Sequence, residues 1–278
     1  MIAGVGQRGW YRIAAYALVV AFLFWVLVPI AMVAMNSFKV QTDIFTLTPN
    51  LFFVPTLQHY EGVVNDLDFL GNLRNSAFIA LASTFLALAL GVPAAYALAR
   101  LPVAHREAWA GLILFTRMAP AVALIVPIFV LFQGARLLGT PQGIIFAHTT
   151  FTLPLVIWLM RSFFEDLPVE LEEAAKVDGA TAFGAFRRVA LPLSVNGIVA
   201  SAILSLVFSW NEFLFALIIS GPATKTVPIG VASFIGTVSV DWGGSSAAAV
   251  IAMVPVFILG LAVQRFLVRG LTLGAVKG

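Results

Sequence analysis

No cysteine occurs anywhere in the 278 residues, which excludes disulfides and thiolate metal sites outright. Charge is scarce as well. Only 10% of the residues are Asp, Glu, Lys or Arg, against about 25% in a soluble domain. The three histidines, His59, His105 and His148, lie far apart, and none has the HExxH neighbour of a helical zinc site; no metal site is expected. A glycine-rich phosphate loop is missing, so by that route the chain itself does not hydrolyse ATP. The net charge of +3 comes without a basic block dense enough for nucleic acid. What remains is apolar: 61% hydrophobic, with a mean hydropathy of +1.01. This is the composition of an all-α polytopic membrane protein, in which each helix satisfies its own backbone where no water can.

A helix spans the hydrocarbon core with about 20 apolar residues. Six stretches meet that need: 13–35, 76–99, 109–132, 143–160, 193–220 and 247–268. The first is longer than the roughly 7–15-residue core of a signal peptide and reads as a retained anchor. Gly91 and Pro93 are expected to kink the second. Basic residues sort the connections. Arg8, Arg12, Arg100, Arg106, Arg161, Lys176, Arg187, Arg188, Arg265, Arg269 and Lys277 fall on one side; Lys39, Arg74, Arg136 and Lys225 fall on the other. Because cytoplasmic loops carry the excess of Lys and Arg, both termini, segment 165–192 and the tail 269–278 are expected in the cytoplasm.

Segment 165–192 is polar in a chain that is mostly oil. It reads EDLPVELEEAAKVDGATAFGAFRRVALP, with six acids and three bases in twenty-eight residues. Its local grammar predicts two short helices. Pro168 suits a first turn, and Glu170, Glu172 and Glu173 favour the positive end of the helix dipole. Leu171, Ala174 and Ala175 form one weakly apolar face. Gly179, after Asp178, is the natural stop. Thr181 is the expected N-cap of the second helix, Phe183, Phe186 and Val189 share a face of it, and Pro192 is expected to end it.

Polar groups at membrane depth are costly and need partners. Arg117 lies within roughly 5 Å of the middle of its span, and Glu212 roughly 8 Å outward of its own, at about 1.5 Å per residue. Glu212, within Trp210–Asn211–Glu212–Phe213, reads equally as a cavity-lining group or as a carboxylate paired with a neighbouring helix; Arg117 is one candidate partner, at a different depth. For His148 a hydrogen-bonded packing role outweighs a pathway role. Phe208, Trp210, Phe213 and Phe215 can stack on a sugar ring, although aromatic residues in membrane helices more often pack or anchor. No catalytic residue is expected. An intramembrane hydrolase would have to be assembled from His148, Ser205 and Ser209.

Glu173–Ala174–Ala175, three residues, Gly179, nine residues, then Val189–Ala190–Leu191–Pro192 resembles the EAA signature of permease subunits in binding-protein-dependent ABC importers, with Val189 in place of the usual Ile. Trp210–Asn211–Glu212–Phe213 and the ending from Gly270 to Gly278 resemble the carbohydrate branch, the maltose and glycerol-phosphate type. The resemblance covers roughly the whole chain, most closely its core, 72–268.

The resemblance implies a type I importer permease fold with six spans, in a bacterial or archaeal cytoplasmic membrane. It implies a second homologous permease subunit, a cytoplasmic ATPase dimer that holds ATP and Mg, and an extracytoplasmic solute-binding protein facing connection 221–246. This chain would bind no cofactor. The first helix of the EAA loop would be the coupling helix, with Glu173, Ala174, Ala175, Asp178, Gly179, Leu191 and Pro192 as its ATPase-coupling residues. Gly274, Lys277 and Gly278 of the tail would approach the ATPase interface. Arg117, His148, Trp210, Asn211, Glu212 and Phe213 are the candidate pathway residues. A polyol or another small solute is the alternative cargo to a sugar.

Overall fold

Small residues run down one face of the second apolar helix: Ser76, Ala80, Thr84, Ala87, Gly91 and Ala95 are all buried. Between helices in lipid there is little hydrophobic drive, so close approach of small residues supplies packing instead. This face sets the architecture of the computed structural model, which describes residues 5–46, 48, 50–65, 68–236 and 240–275, with side chains within 10–262. Among these residues the chain is helical apart from its connections and one isolated bridge between Ile235 and Val240.

In chain order the helices are α1 (Val5–Asn36), α2 (Gln41–Ile44), α3 (Gln58–Asn65), α4 (Phe69–Arg100), α5 (Arg106–Thr116), α6 (Ala121–Gly134), α7 (Pro141–Glu165), α8 (Val169–Val177), α9 (Ala182–Ala185), α10 (Leu191–Leu193), α11 (Val195–Trp210), α12 (Leu214–Ile219), α13 (Val227–Ala232) and α14 (Trp242–Ala275). Four of them are long and apolar enough to cross a membrane, over Trp10–Asn36, Phe69–Arg100, Pro141–Glu165 and Trp242–Ala262. Two bent pairs raise the number to as many as six: α5 with α6, at 91°, and Ala182–Leu193 with α11, at 73°.

The chain falls into two units. One comprises Met1–Asp68 and Val231–Ile251. Within it, the Ser37 and Tyr60 hydroxyls lie 2.7 Å apart, His59 Nε2 is 2.8 Å from the Lys39 carbonyl, and the Asp241 carboxylate accepts the Gly244 N–H at 2.9 Å.

The other unit, Phe69–Gly230 with Ala252–Gly278, holds the two apolar clusters. In the first, Ala87, Val92, Ala95 and Tyr96 of α4 pack with Val156, Ile157, Met160 and Phe164 of α7, and with Phe186 and Ala190. In the second, Ile79 meets Phe132, Ile144, Ala147, Phe215, Ala216, Ile219 and Ile229. Helix α4 runs unbroken through Pro93. Gly91 has a packing role: a Cβ there would sit 2.8 Å from Val156 Cγ1.

Two expected spans are not continuous helices. The third, 109–132, is broken after Thr116, and α6 begins only beyond Pro120. The residue before a proline is kept out of the helical region, so Ala119 cannot carry the helix across. Arg117 therefore caps α5 at a bend. The fifth, 193–220, stops at Trp210 and restarts at Leu214. Pro192 does not end the second loop helix either. The backbone widens into a π turn over Phe186–Ala190, where Leu191 N–H donates to Phe186 O. A wider turn relieves the clash a proline ring makes with the carbonyl four residues earlier. The helix goes on to Leu193 and bends at Ser194.

Helix α7 starts where Thr140 Oγ1 accepts the Gly143 N–H at 3.2 Å, with Pro141 in the first turn. The capping is tight enough to require glycine, since a Cβ on Gly143 would lie 2.3 Å from the Leu137 carbonyl oxygen. Backbone cannot yield as a side chain tip can. Gly143→Ala is therefore expected to cost about 1–3 kcal/mol. A thermal melt of the purified chain checks this; an unchanged midpoint would show that the Leu137 turn moves freely.

Candidate functional site

The loop between α7 and α11 carries the first candidate site. Pro168 precedes α8, Glu170 and Glu172 stand in its first turn and Lys176 in its last, matching the helix dipole. The helix closes as Asp178 N–H donates to Ala174 O at 3.0 Å and Gly179 N–H to Lys176 O at 3.0 Å. Gly179 then takes φ +88°, a conformation that side chains resist. Two residues on, Thr181 Oγ1 accepts the Gly184 N–H at 3.1 Å and starts α9. So α8 ends in a local turn at Gly179, and α9 starts on a side-chain cap at Thr181.

The weakly apolar face of α8 points outward. Leu171 and Ala174 are exposed and Ala175 half-buried, and Glu173, Asp178 and Gly179 are exposed too. Val177 and Phe183 are exposed large apolar residues at 87% and 69%. Leu191 is half-buried and Pro192 exposed. The face that turns inward carries Glu172, only 3% exposed.

Glu172 was not singled out as a coupling residue by the sequence, yet two side chains hold it. Tyr96 donates its hydroxyl to Oε2 at 2.5 Å, and Arg100 Nε donates to Oε1 at 2.9 Å. Arg100 Nη2 also donates to the Leu167 carbonyl at 2.5 Å, just before α8. The Tyr96 ring packs edge-on to Phe164 and tilted against Phe186, with centroids 5.4 Å and 4.7 Å away. One signal could have found the cluster: Tyr96 and Arg100 stand four residues apart at the end of a span, one donor pair on one helix face.

The second candidate site is a buried polar chain across α4, α7 and α11. Ser83 Oγ lies 3.0 Å from Ser209 Oγ, which lies 2.7 Å from His148 Nδ1. His148 Nε2 stands 3.2 Å from Glu212 Oε2, a close contact that is off the line of a well-aligned hydrogen bond. Glu212 spends its oxygens on the start of α12, accepting the Phe215 N–H at 2.9 Å and the Ala216 N–H at 3.0 Å. The carboxylate thus does what a helix cap does, satisfying amides with no partner in their own helix, and it explains the break at Asn211–Phe213. Serine, histidine and carboxylate stand in sequence as in a hydrolase, but Ser209 and His148 are buried, and Ser209 is shared with Ser83.

The remaining pathway candidates scatter around this chain. Trp210 is buried, its indole N–H donating to the Ala252 carbonyl at 3.2 Å. Asn211 and Phe213 are exposed, Asn211 bonding back to Val207 O at 2.8 Å. Arg117 is half-buried and lies over the Phe208 ring at 5.2 Å, so it stacks on an aromatic face while His148 takes Glu212. Losing that cation–π contact costs about 0.5–2 kcal/mol. Arg117→Ala is expected to lower the melting temperature of the assembled protein and weaken transport; wild-type melting and transport would make the residue a bystander. Gly274 lies within α14, and Lys277 and Gly278 lie outside the described residues.

Comparison with known proteins adds identity to this geometry. Residues 87–273 match the family described as the inner membrane component of binding-protein-dependent transport systems. The chain is 39% identical over 80% of its length, and 82% of the other, to the trehalose transport system permease protein SugB of Mycobacterium tuberculosis. It is 38% identical over 96% of its length, and 93% of the other, to the sulfoquinovosyl glycerol transport system permease protein SmoH of Agrobacterium fabrum. Its fold is similar to a chain in the crystal structure of a bacterial ABC transporter involved in the import of the acidic polysaccharide alginate, with a TM-score of 0.80 over 95% of this chain and 99% of that one at 22% identity. The chain belongs to the family of inner membrane permease components of binding-protein-dependent transport systems.

Proposed function

We propose that this chain is one of two membrane-spanning subunits of an ATP-driven sugar importer. The observation that carries the reading is identity of 38–39% along most of the chain to permeases named for trehalose and for sulfoquinovosyl glycerol, both glycosides. Six spans with both termini in the cytoplasm of an inner-membrane protein follow from the charge sorting and from counting each bent pair as one span. A second permease subunit completes the pathway, and a solute-binding protein delivers cargo from outside. ATP and Mg bind on a separate ATPase dimer.

The coupling element is α8 with its flanking turns. An exposed Glu173 and small Ala174 on a short helix, held at its start by Arg100 and turned sharply at Gly179, suit a helix that seats in a cleft of an ATPase and is pushed as a unit. Asp178 and Gly179 shape its exit; Leu191 and Pro192 lead back to the spans. Closure of the ATPases on ATP then biases a two-state membrane element between inward and outward openings, which is alternating access. Asn211 and Phe213 are offered as pathway-lining groups beside Arg117 and Glu212, with His148 and Trp210 behind them; the tail from Gly274 to Gly278 is offered as a second ATPase contact.

The test is reconstitution with the partner subunits in proteoliposomes and ATP-dependent uptake of a panel of labelled disaccharides, glycosides and polyols. Saturable uptake of a saccharide supports the reading. Uptake of polyols alone moves the cargo to the second class, and ATP-independent flux overturns the importer.

A further inference from the structure

The coupling reading leaves one buried charge unused. An isolated carboxylate taken out of water is expensive unless it is paired and hydrogen-bonded, and Glu172 faces inward from an otherwise solvated rod. Its two oxygens meet two side chains of one helix, Tyr96 and Arg100 of α4. Arg100 then reaches a second point of the loop, the Leu167 carbonyl. The start of α8 is thus held at two places by the end of a membrane-spanning helix, through charge-assisted bonds, which are the strong kind. The aromatic seat of Tyr96 on Phe164 and Phe186 ties the same point to α7 and to the turn that follows α9.

We propose that Tyr96, Arg100 and Glu172 are positioning residues that form a rigid joint, making α8 and the inner half of α4 move as one body. The inference rests on the reading of α8 as the coupling helix. A lever transmits displacement only if its attachment does not yield. Gly179 at the other end of α8 is a single residue with an unusual backbone angle, whereas this end carries three side-chain bonds. Displacement imposed on the exposed face, at Glu173, therefore reaches α4, whose small-residue face packs on α7. Glu172 and Glu173 are neighbours in sequence with opposite tasks: one holds the membrane subunit, the other faces the partner.

The absence of cysteine allows spin labels at Val177→Cys on α8 and Leu90→Cys on α4, both exposed positions, in the transporter assembled with its ATPase. The inter-label distance is measured by electron paramagnetic resonance without nucleotide and with ATP plus vanadate. A narrow distribution unchanged by nucleotide is expected with the joint intact. Tyr96→Phe, which removes one hydroxyl, and Glu172→Gln, which removes the charge but keeps an acceptor, are expected to broaden it and make it shift with nucleotide. Arg100→Lys keeps the charge without the fork and is expected to fall between.

A wild-type distance that shifts with nucleotide, or a Tyr96→Phe distribution identical to wild type, overturns the joint. Tyr96→Phe carries the test if Glu172→Gln does not assemble. Glu173→Lys separates the two levels. If it keeps wild-type uptake with its ATPase co-purifying intact, the coupling reading itself fails. If it loses uptake while the wild-type distance shifts, only the joint fails.

Discussion

Gly179→Pro is expected to abolish solute uptake while leaving the chain in the membrane. The residue has φ +88°, and a proline ring holds φ near −65°. The substitution also removes the N–H that Gly179 donates to Lys176 O. The combined cost is about 3 kcal/mol or more, and it falls on the joint between α8 and α9, outside the four long spans. Insertion should survive because apolar length drives it; the loop geometry should not. Gly179→Asn is expected to be the mildest change, since Asn tolerates a left-handed cap. Gly179→Ala should be intermediate, with about 1–2 kcal/mol of strain. Uptake measured against the amount of chain in membrane fractions checks the order Asn, Ala, Pro. A proline variant that transports at the wild-type rate would remove the exit turn of α8 from the mechanism.

Glu212→Ala carries the second large effect, on stability. The Glu212 side chain is 11% exposed and His148 is 1% exposed. Removing the carboxylate leaves the Phe215 and Ala216 amides without their acceptor, at a cost of about 1–3 kcal/mol for a buried donor left unpaired. The break after Trp210 would then have nothing to start α12. Glu212→Gln keeps one acceptor oxygen and is expected to retain much of what Ala loses. The thermal midpoint of the purified transporter should fall strongly for Ala and modestly for Gln. Equal midpoints for Ala and wild type would mean that α12 is held by its apolar face alone, through Phe215, Ala216 and Ile219.

Much of this was legible in the sequence for reasons that can be named. Apolar length located the four long helices, because in lipid the backbone leaves few alternatives to a helix. The turns of the loop were legible through Gly179 and Thr181, whose chemistry is local. What was not legible depended on side chains meeting across sequence. Glu172 looked like one more acid in a first turn until Tyr96 and Arg100, more than seventy positions earlier, closed on it. Glu212 suggested a partner, and depth left Arg117 open; the fold supplies His148 instead and gives Arg117 the Phe208 ring. The breaks in spans 109–132 and 193–220 escaped hydropathy because a bent pair is as apolar as a straight helix. Pro120 was the readable sign of the first, while the second arises from a carboxylate capping amides three and four residues ahead.

Coupling through α8 can be tested without knowing the cargo. Ala174 is exposed beside Glu173, Phe52 is 92% exposed in connection 36–75, and the chain has no cysteine of its own. A cysteine at each position in turn is treated with a short bifunctional crosslinker in the transporter assembled with its ATPase. Ala174→Cys is expected to give one product of permease plus ATPase, in an amount that changes on adding ATP, and Phe52→Cys to give none. A product from Phe52→Cys with none from Ala174→Cys would contradict both the sidedness of the chain and the role of its EAA helix.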